Sequence, residues 1–387
     1  MVPFSYATSL YAAATALELA TFFLLLVVCV LQFCFVRRHG DAARTWVKWA
    51  RYSLALYTFT TFVLCGDSLI ATVYDRFVDR RIEFFASEER GLTQARGFLD
   101  SIWWLCEAVV RVLLLVALAA LGAGLAMARS AGGAAAPAGW TRMPSLAGAA
   151  GGLTLLLAVA LFGVRCYFWT HYYDWQQERQ GLVQGRAPLG KVALGKLNRV
   201  TIDMDFALNC IWLALSLLVL GLAVRTRALS RSAPHTKTAS NYFLTCAALF
   251  VAQPLYNIII LIIFYVNTSY VPGVMATIVT DVVFRVWSYV LILLILFVLG
   301  RKKIGGVWST QQPFQTKDAA AGETVYQTPW GYTVTHQTAP QQVPVHGSQA
   351  QLNNYYAQPQ QGAQDVQHQY QQNQYQQQQQ QQQPHYG

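Results

Sequence analysis

Seven stretches of about twenty or more nearly unbroken apolar residues divide the first 300 positions of this chain, at 12–36, 52–74, 101–127, 149–169, 204–224, 242–266 and 274–299. Nothing else in the sequence restricts the fold so much. Crossing the roughly 30 Å hydrocarbon core of a bilayer takes about 20 helical residues. Within lipid every backbone N–H and C=O must find a partner inside the protein, and a continuously apolar run meets that demand as a helix. Composition agrees, because only 12% of residues are charged where a soluble domain carries about 25%. The expected fold is therefore all-α, a polytopic seven-transmembrane helix bundle over residues 1–300 with the lipid bilayer as its surroundings. The first stretch is too long for a cleaved signal peptide, lacks a basic leading region and contains Glu18, so it is expected to remain as a span.

Basic residues set the expected orientation. With the N-terminus outside, the inner connections (37–51, 128–148, 225–241 and the tail starting Arg301-Lys302-Lys303) hold fourteen Lys/Arg against one acid, Asp41. The opposite connections hold ten Lys/Arg against nine acids. Lys and Arg accumulate in cytoplasmic loops, so the reading is N-out/C-in, and the plasma membrane is the expected location. The same bias accounts for the net charge of +10, so no nucleic acid or other acidic partner is implied. All seven cysteines lie inside the spans with no CxxC or Cys/His cluster. That argues against a disulfide framework and a zinc site, and no metal or cofactor is expected. One pair, Cys106 and Cys166, could meet if the third and fourth helices pack closely.

Beyond residue 300 the composition changes. Residues 310–387 are rich in Gln, with spaced tyrosines (Tyr355, Tyr356, Tyr370, Tyr375) and a run from Gln376 to Gln383. A segment with so few aliphatic residues cannot bury a core, so 301–387 is expected to be a disordered, Gln-rich cytoplasmic tail.

The charges inside the spans are few and patterned. Glu107-Ala-Val-Val-Arg111 and Asp281-Val-Val-Phe-Arg285 each put a carboxylate one helical turn before an arginine, in otherwise apolar sequence. A charge near the bilayer centre costs about 2.5–3.5 kcal/mol or more, so such residues mark a task. Glu18, Asp67, Arg165 and Asp205 join them in the outer halves of their spans, while Val112–Ala128, Ser216–Val224 and Tyr289–Leu299 contain no Asp, Glu, Lys or Arg. Five acids and three arginines in one leaflet suit a charged cavity open to the outside and closed by an apolar inner plug. A structural clamp between helices three and seven fits the same residues, and Glu18, Arg165 and Asp205 can also reach the interface by snorkelling. In the sixth span, Gln253-Pro254-Leu255-Tyr256-Asn257 predicts a kink whose freed backbone carbonyl, with the Gln253 and Asn257 amides, faces neighbours or cavity water. The matching strings also suggest a parallel duplication of helices one to three as five to seven.

The connections carry weaker signals. Segment 75–100 is expected to prolong helices two and three beyond the membrane or to lie along its surface. Segment 170–203 opens on an aromatic cluster suited to an interfacial belt. The Ala/Gly-rich stretch 130–152 reads as a flexible linker. Asn267-Thr268-Ser269 is a glycosylation sequon on the expected outer side, although its loop is short enough to press Asn267 against the membrane.

No enzyme motif is visible: there is no Walker loop, nucleophile elbow, HExxH or intramembrane His cluster. The seventh span, Val274–Leu299, has no lysine for a retinal Schiff base. Seven helices with an outer N-terminus resemble the topology of G-protein-coupled receptors. The Gln-rich tail resembles those of orphan seven-helix, receptor-like proteins of filamentous fungi. The third span ends Met127-Ala128-Arg129-Ser130, not in the acidic-Arg-aromatic triplet of rhodopsin-like receptors, and the seventh lacks Asn-Pro-x-x-Tyr. The resemblance implies a receptor-like or sensory protein that binds a small polar ligand in the outer cavity and signals through the 225–241 loop and the tail. Two other readings remain open: a solute or ion-coupled transporter using the intramembrane Glu, Asp and Arg residues, and a scaffold recruiting partners through its tail.

Overall fold

The computed structural model describes residues 6–36, 41–79, 86–130, 139–179, 191–232, 234–266, 280–302, 306–308, 323–327 and 333–337. Six long helices follow the apolar stretches: α1 (Tyr6–Phe35), α2 (Trp46–Asp79), α3 (Ala86–Ser130), α4 (Met143–Arg179), α5 (Lys191–Leu229) and α6 (Pro234–Val266). A seventh, α7 (Ser288–Arg301), is entered through a π-helical segment, Val282–Trp287. Among the described residues seven helices are long and apolar enough to cross a membrane, and the chain is an integral, multi-pass membrane protein. Their outward faces carry Leu, Val and Phe in positions that only lipid can cover, such as Phe23, Val27 and Phe33 on α1 and Leu153, Leu156 and Leu218 on α4 and α5.

Several helices outrun their apolar cores. The 45 residues of α3 span roughly 68 Å at about 1.5 Å each, more than twice the hydrocarbon thickness. Residues 75–79 and 86–100 thus prolong α2 and α3, and the aromatic cluster after Tyr167 is carried on α4. Two expectations are corrected. Residues 143–152 of the presumed linker are the first turns of α4, because Ala and Leu sustain a helix through the glycines. The presumed loop 225–241 is mostly helix, with α5 running to Leu229, a 3₁₀ turn at Ser230–Ser232 and α6 starting at Pro234. Proline suits that first helical turn, where its missing N–H has no partner to lose.

α3 is the central helix. It packs against α2, α4, α5 and α6, and 83% of its most apolar stretch is buried, against 28% in α1 and 22% in α4. Leu114, Leu118, Leu121 and Leu125 of α3 meet Trp46, Phe243, Leu293 and Leu296 in the main core. This packing occupies the half of the bundle nearer the first loop, called the lower half below; the upper half lies toward the α2–α3 connection.

The lower end is tied by a short 3₁₀ turn, Ala42–Arg44. Asp41 accepts the Ala43 N–H at 2.8 Å. Buried Arg44 donates to the Gly300 carbonyl at the end of α7 and lies 4.1 Å from the Trp308 ring centroid. A cation there satisfies an orphan carbonyl and complements the negative end of the helix dipole. Gly124 lets this turn approach α3, since a Cβ there would lie 2.2 Å from the Ala43 carbonyl oxygen.

One further difference from expectation concerns the tail. Within the tail expected to be disordered, β1 (Glu323–Gln327) pairs with β2 (Thr333–Gln337). Both strands are rich in Thr, Val and Tyr, residues that favour extended backbone. Cys106 and Cys166 are both free despite the packing of α3 on α4. Asn267, the start of the expected seventh span at 274–279 and the Gln-rich run lie outside the described residues.

Gly124→Ala is expected to lower the thermal unfolding midpoint of the detergent-purified protein, at a cost of about 1–3 kcal/mol for overpacking against backbone. Gly221→Ala, with nothing within 4 Å of the new methyl, should leave it unchanged or raise it.

Candidate functional site

The charged residues of α3 recur at helical intervals. Arg96, Asp100, Glu107 and Arg111 are spaced by four, seven and four residues, which keeps them near one face of the helix. Because α3 is central, that face meets the other helices instead of lipid.

The deepest part is a closed polar network around Glu107. Glu107 is 2% exposed and Arg111 5%. Arg111 Nη2 donates to Glu107 Oε1 at 2.7 Å, so the one-turn pair read from the sequence forms as an ion pair. Gln253 Nε2 of α6 donates to the same oxygen at 2.9 Å, and the Tyr289 hydroxyl of α7 donates to Gln253 Oε1 at 3.0 Å. On its other side Arg111 Nη1 donates to Asn209 Oδ1 of α5 at 3.3 Å, an oxygen that also accepts from Asn257 Nδ2 at 3.1 Å. One buried carboxylate therefore organises side chains from α3, α5, α6 and α7. Pro254, which removes the helical donor for the Phe250 carbonyl, lies between the two α6 amides that feed the network.

The second carboxylate–arginine string behaves differently. Among the described residues Asp281 makes no ion pair with Arg285; it accepts the Tyr256 hydroxyl at 2.6 Å. Arg285 instead lies 3.9 Å from the Trp103 ring centroid, with its Nε 3.6 Å from Glu107 Oε2. The expectation of one α-helical turn between the two charges fails because Val282–Trp287 is π-helical. The Tyr57 hydroxyl of α2 donates to the Val286 carbonyl inside that segment at 2.9 Å. The strings on helices three and seven do meet each other, through Glu107 and Arg285, across a contact left open: neither Glu107 Oε2 nor Arg285 Nε has a hydrogen bond.

Above the network the charges become more exposed. Arg165 of α4 pairs with Asp205 of α5 and, at 3.4 Å, with Asp100 of α3, and its guanidinium lies 4.6 Å from the Trp104 ring centroid. Arg165 and Asp205 thus tie three helices together. Asp67 of α2 lies 3.7 Å from Arg96 of α3. Glu18 of α1 is 7% exposed, and its Oε2 has no hydrogen-bond partner.

Two cavities open among these groups. The deeper, about 170 Å³, is lined by Glu18, Asp67, Asp100, Trp103, Asp281 and Arg285, among others. The second, about 440 Å³, shares Asp67 and Asp100 with it and adds Arg96, Trp169 and Tyr172. Below Tyr289 the interior is Leu114, Leu118, Phe243, Ile292 and Leu293, all less than 2% exposed. Among the described residues no three His, Cys, Asp or Glu side chains are grouped to hold a metal ion.

The sequence singles out Glu18, Asp67, Glu107, Arg111, Arg165, Asp205, Gln253, Asn257, Asp281 and Arg285, and all ten lie in or beside this system. It misses Arg96 and Asp100, which belong to a segment read as a connection, and the neutral partners Tyr57, Trp103, Asn209 and Tyr289. The helical spacing of Arg96 and Asp100 from Glu107 was a usable signal, as was Asn209 one turn from Asp205.

Arg111→Leu would strand the Glu107 carboxylate in the interior, at a cost of about 3–5 kcal/mol. The Glu107→Gln/Arg111→Leu double variant is expected to recover much of the loss, and thermal unfolding of the four proteins of this cycle measures the coupling. No protein-family model, curated protein or solved structure matches this chain.

Proposed function

We propose that this protein is a receptor-like sensor of the plasma membrane, oriented N-out/C-in, in which a small polar ligand enters the upper cavity from outside. The observation that carries the reading is the position of the Glu107 network. It lies directly beneath the cavity through Arg285, and reaches α5, α6 and α7, while the interior below it is closed apolar packing. A ligand that shifts Arg285 changes the electrostatics of Glu107, and Glu107 is hydrogen-bonded to α6 beside its internal Pro254. Helix movement, with no passage through the protein, is what such an arrangement transmits.

At the other end, the basic residues near the α5–α6 turn and at the end of α7 (Arg225, Arg227, Arg231, Lys237, Arg301 and Lys302) form the surface offered to a cytoplasmic signalling partner, and the Gln-rich tail is a second recruiting segment. Their positive charge supports the inner assignment of this end. A transporter would need the apolar lower half to open, and a scaffold would make the intramembrane charges dispensable. Neither has an enzyme's chemistry, and none of the three readings calls for a cofactor.

An epitope tag at the N-terminus is expected to bind antibody on intact cells, and one at the C-terminus only after permeabilisation; the reverse pattern refutes the orientation. Arg285→Gln is expected to reach the cell surface at normal levels, since Arg285 is partly exposed, yet to lose most of the response measured by a spectroscopic distance between the lower ends of α3 and α6. Solute flux through reconstituted protein, dependent on Glu107 or Asp281, would replace the sensor with a carrier.

A further inference from the structure

The deeper cavity has an unbalanced charge. Four carboxylates line it, from Glu18, Asp67, Asp100 and Asp281, against the single guanidinium of Arg285. Two of the four are matched from outside, Asp67 by Arg96 and Asp100 by Arg165. Arg285 is turned toward Glu107 and the Trp103 face. That leaves Glu18 and Asp281 with no cationic side chain in ion-pair contact among the described residues. Asp281 accepts the Tyr256 hydroxyl. Glu18 is more than nine-tenths buried with Oε2 unpartnered, and a buried acceptor left so is costly unless something completes it.

We propose that this cavity binds a small organic cation, an amine in its ammonium form, with Glu18 as the anchoring carboxylate and Asp67, which lines both chambers and whose Oδ1 lacks a hydrogen bond despite Arg96 at 3.7 Å, as the second. The inference rests on the sensor reading and names the class of its ligand. A bare metal ion is a poor occupant, because among the described residues no three carboxylates are grouped closely enough to ligate one. A volume of about 170 Å³ corresponds to roughly six water molecules, so the deeper chamber accepts an alkylammonium or the charged end of a longer amine. The rest of such a molecule extends past Asp67 and Asp100 into the larger chamber, where Trp169 and Tyr172 supply apolar and π surface. An ammonium group beside Glu18 repels Arg285, whose open side faces Glu107 Oε2. Binding therefore favours closure of the 3.6 Å contact, drawing the π segment of α7 toward α3.

The test uses the full-length protein in detergent micelles or nanodiscs, with phenethylamine and n-butylamine as probes and 2-phenylethanol and 3-phenylpropionate as neutral and anionic controls. Equilibrium dialysis with radiolabelled phenethylamine should show saturable binding, and the thermal midpoint should rise by about 2 °C or more at saturation. The controls should do neither. Glu18→Gln keeps the side-chain shape and is expected to weaken amine binding by about tenfold or more, as loss of a charged hydrogen bond requires; Asp67→Asn is the independent second variant. The proposal is overturned if neither amine binds at about 50 mM, well into the weak range. It is also overturned if 2-phenylethanol binds as well as phenethylamine, or if both variants retain wild-type amine affinity. Amine binding with no movement of α6 relative to α3 would leave the cation site standing and refute the sensor. A helix response to a neutral or anionic ligand would do the opposite.

Discussion

Glu107 brings a full negative charge to the most buried helix of the bundle, and the surrounding arrangement answers that fact. In a medium of low dielectric a lone carboxylate is untenable, while a carboxylate with a guanidinium at 2.7 Å and an amide at 2.9 Å is held firmly in place. Each partner needs partners of its own. Arg111 requires Asn209, Gln253 requires Tyr289, and those residues fix α5 and α7 against α3. Helix association in lipid lacks the hydrophobic drive available in water, so hydrogen bonds and close packing carry more of the specificity. The network specifies how the upper halves meet, and the leucine column of α3 with Gly124 specifies the lower halves.

The two halves differ in kind. Below, large side chains interdigitate and the first loop is tied to the end of α7 through Arg44, Gly300 and Trp308. Above, charged residues surround open volume, and several of their polar atoms have no partner. Packed leucines and aromatics below and a charge-lined cavity above put the polar open volume at one end of the bundle. Such an asymmetry suits a protein that receives something at one face and reports at the other, since the packed half moves as a body.

Much of this was legible in the sequence because hydrocarbon imposes simple rules. Apolar length gave seven helices, rarity of charge in those helices picked out eight residues that the fold assembles, and the amides flanking a mid-helix proline added Gln253 and Asn257. What escaped has physical reasons. Neutral hydrogen-bonding residues such as Tyr57, Asn209 and Tyr289 are common in membrane helices and carry no mark of their depth. Arg96 and Asp100 lie where α3 leaves the apolar stretch, so composition assigned them to a connection although the helix continues through them. Asp281 and Arg285 showed the spacing of an α-helical ion pair, yet spacing is informative only where the backbone is α-helical. The tail's short strands were hidden in a composition dominated elsewhere by Gln.

The π-helical segment of α7 has one more consequence. A π turn accommodates an extra residue relative to the α-helix it interrupts. Returning Val282–Trp287 to α geometry would rotate everything above it by about 100° relative to Ser288 onward, the angle that one residue occupies in an α-helix. Arg285 would then leave the Trp103 face. A carbonyl of this segment, that of Val286, accepts the hydroxyl of Tyr57 on α2. The rotational setting of α7 is thus held from a neighbouring helix, and two helices that share little sequence pattern function there as a single mechanical part.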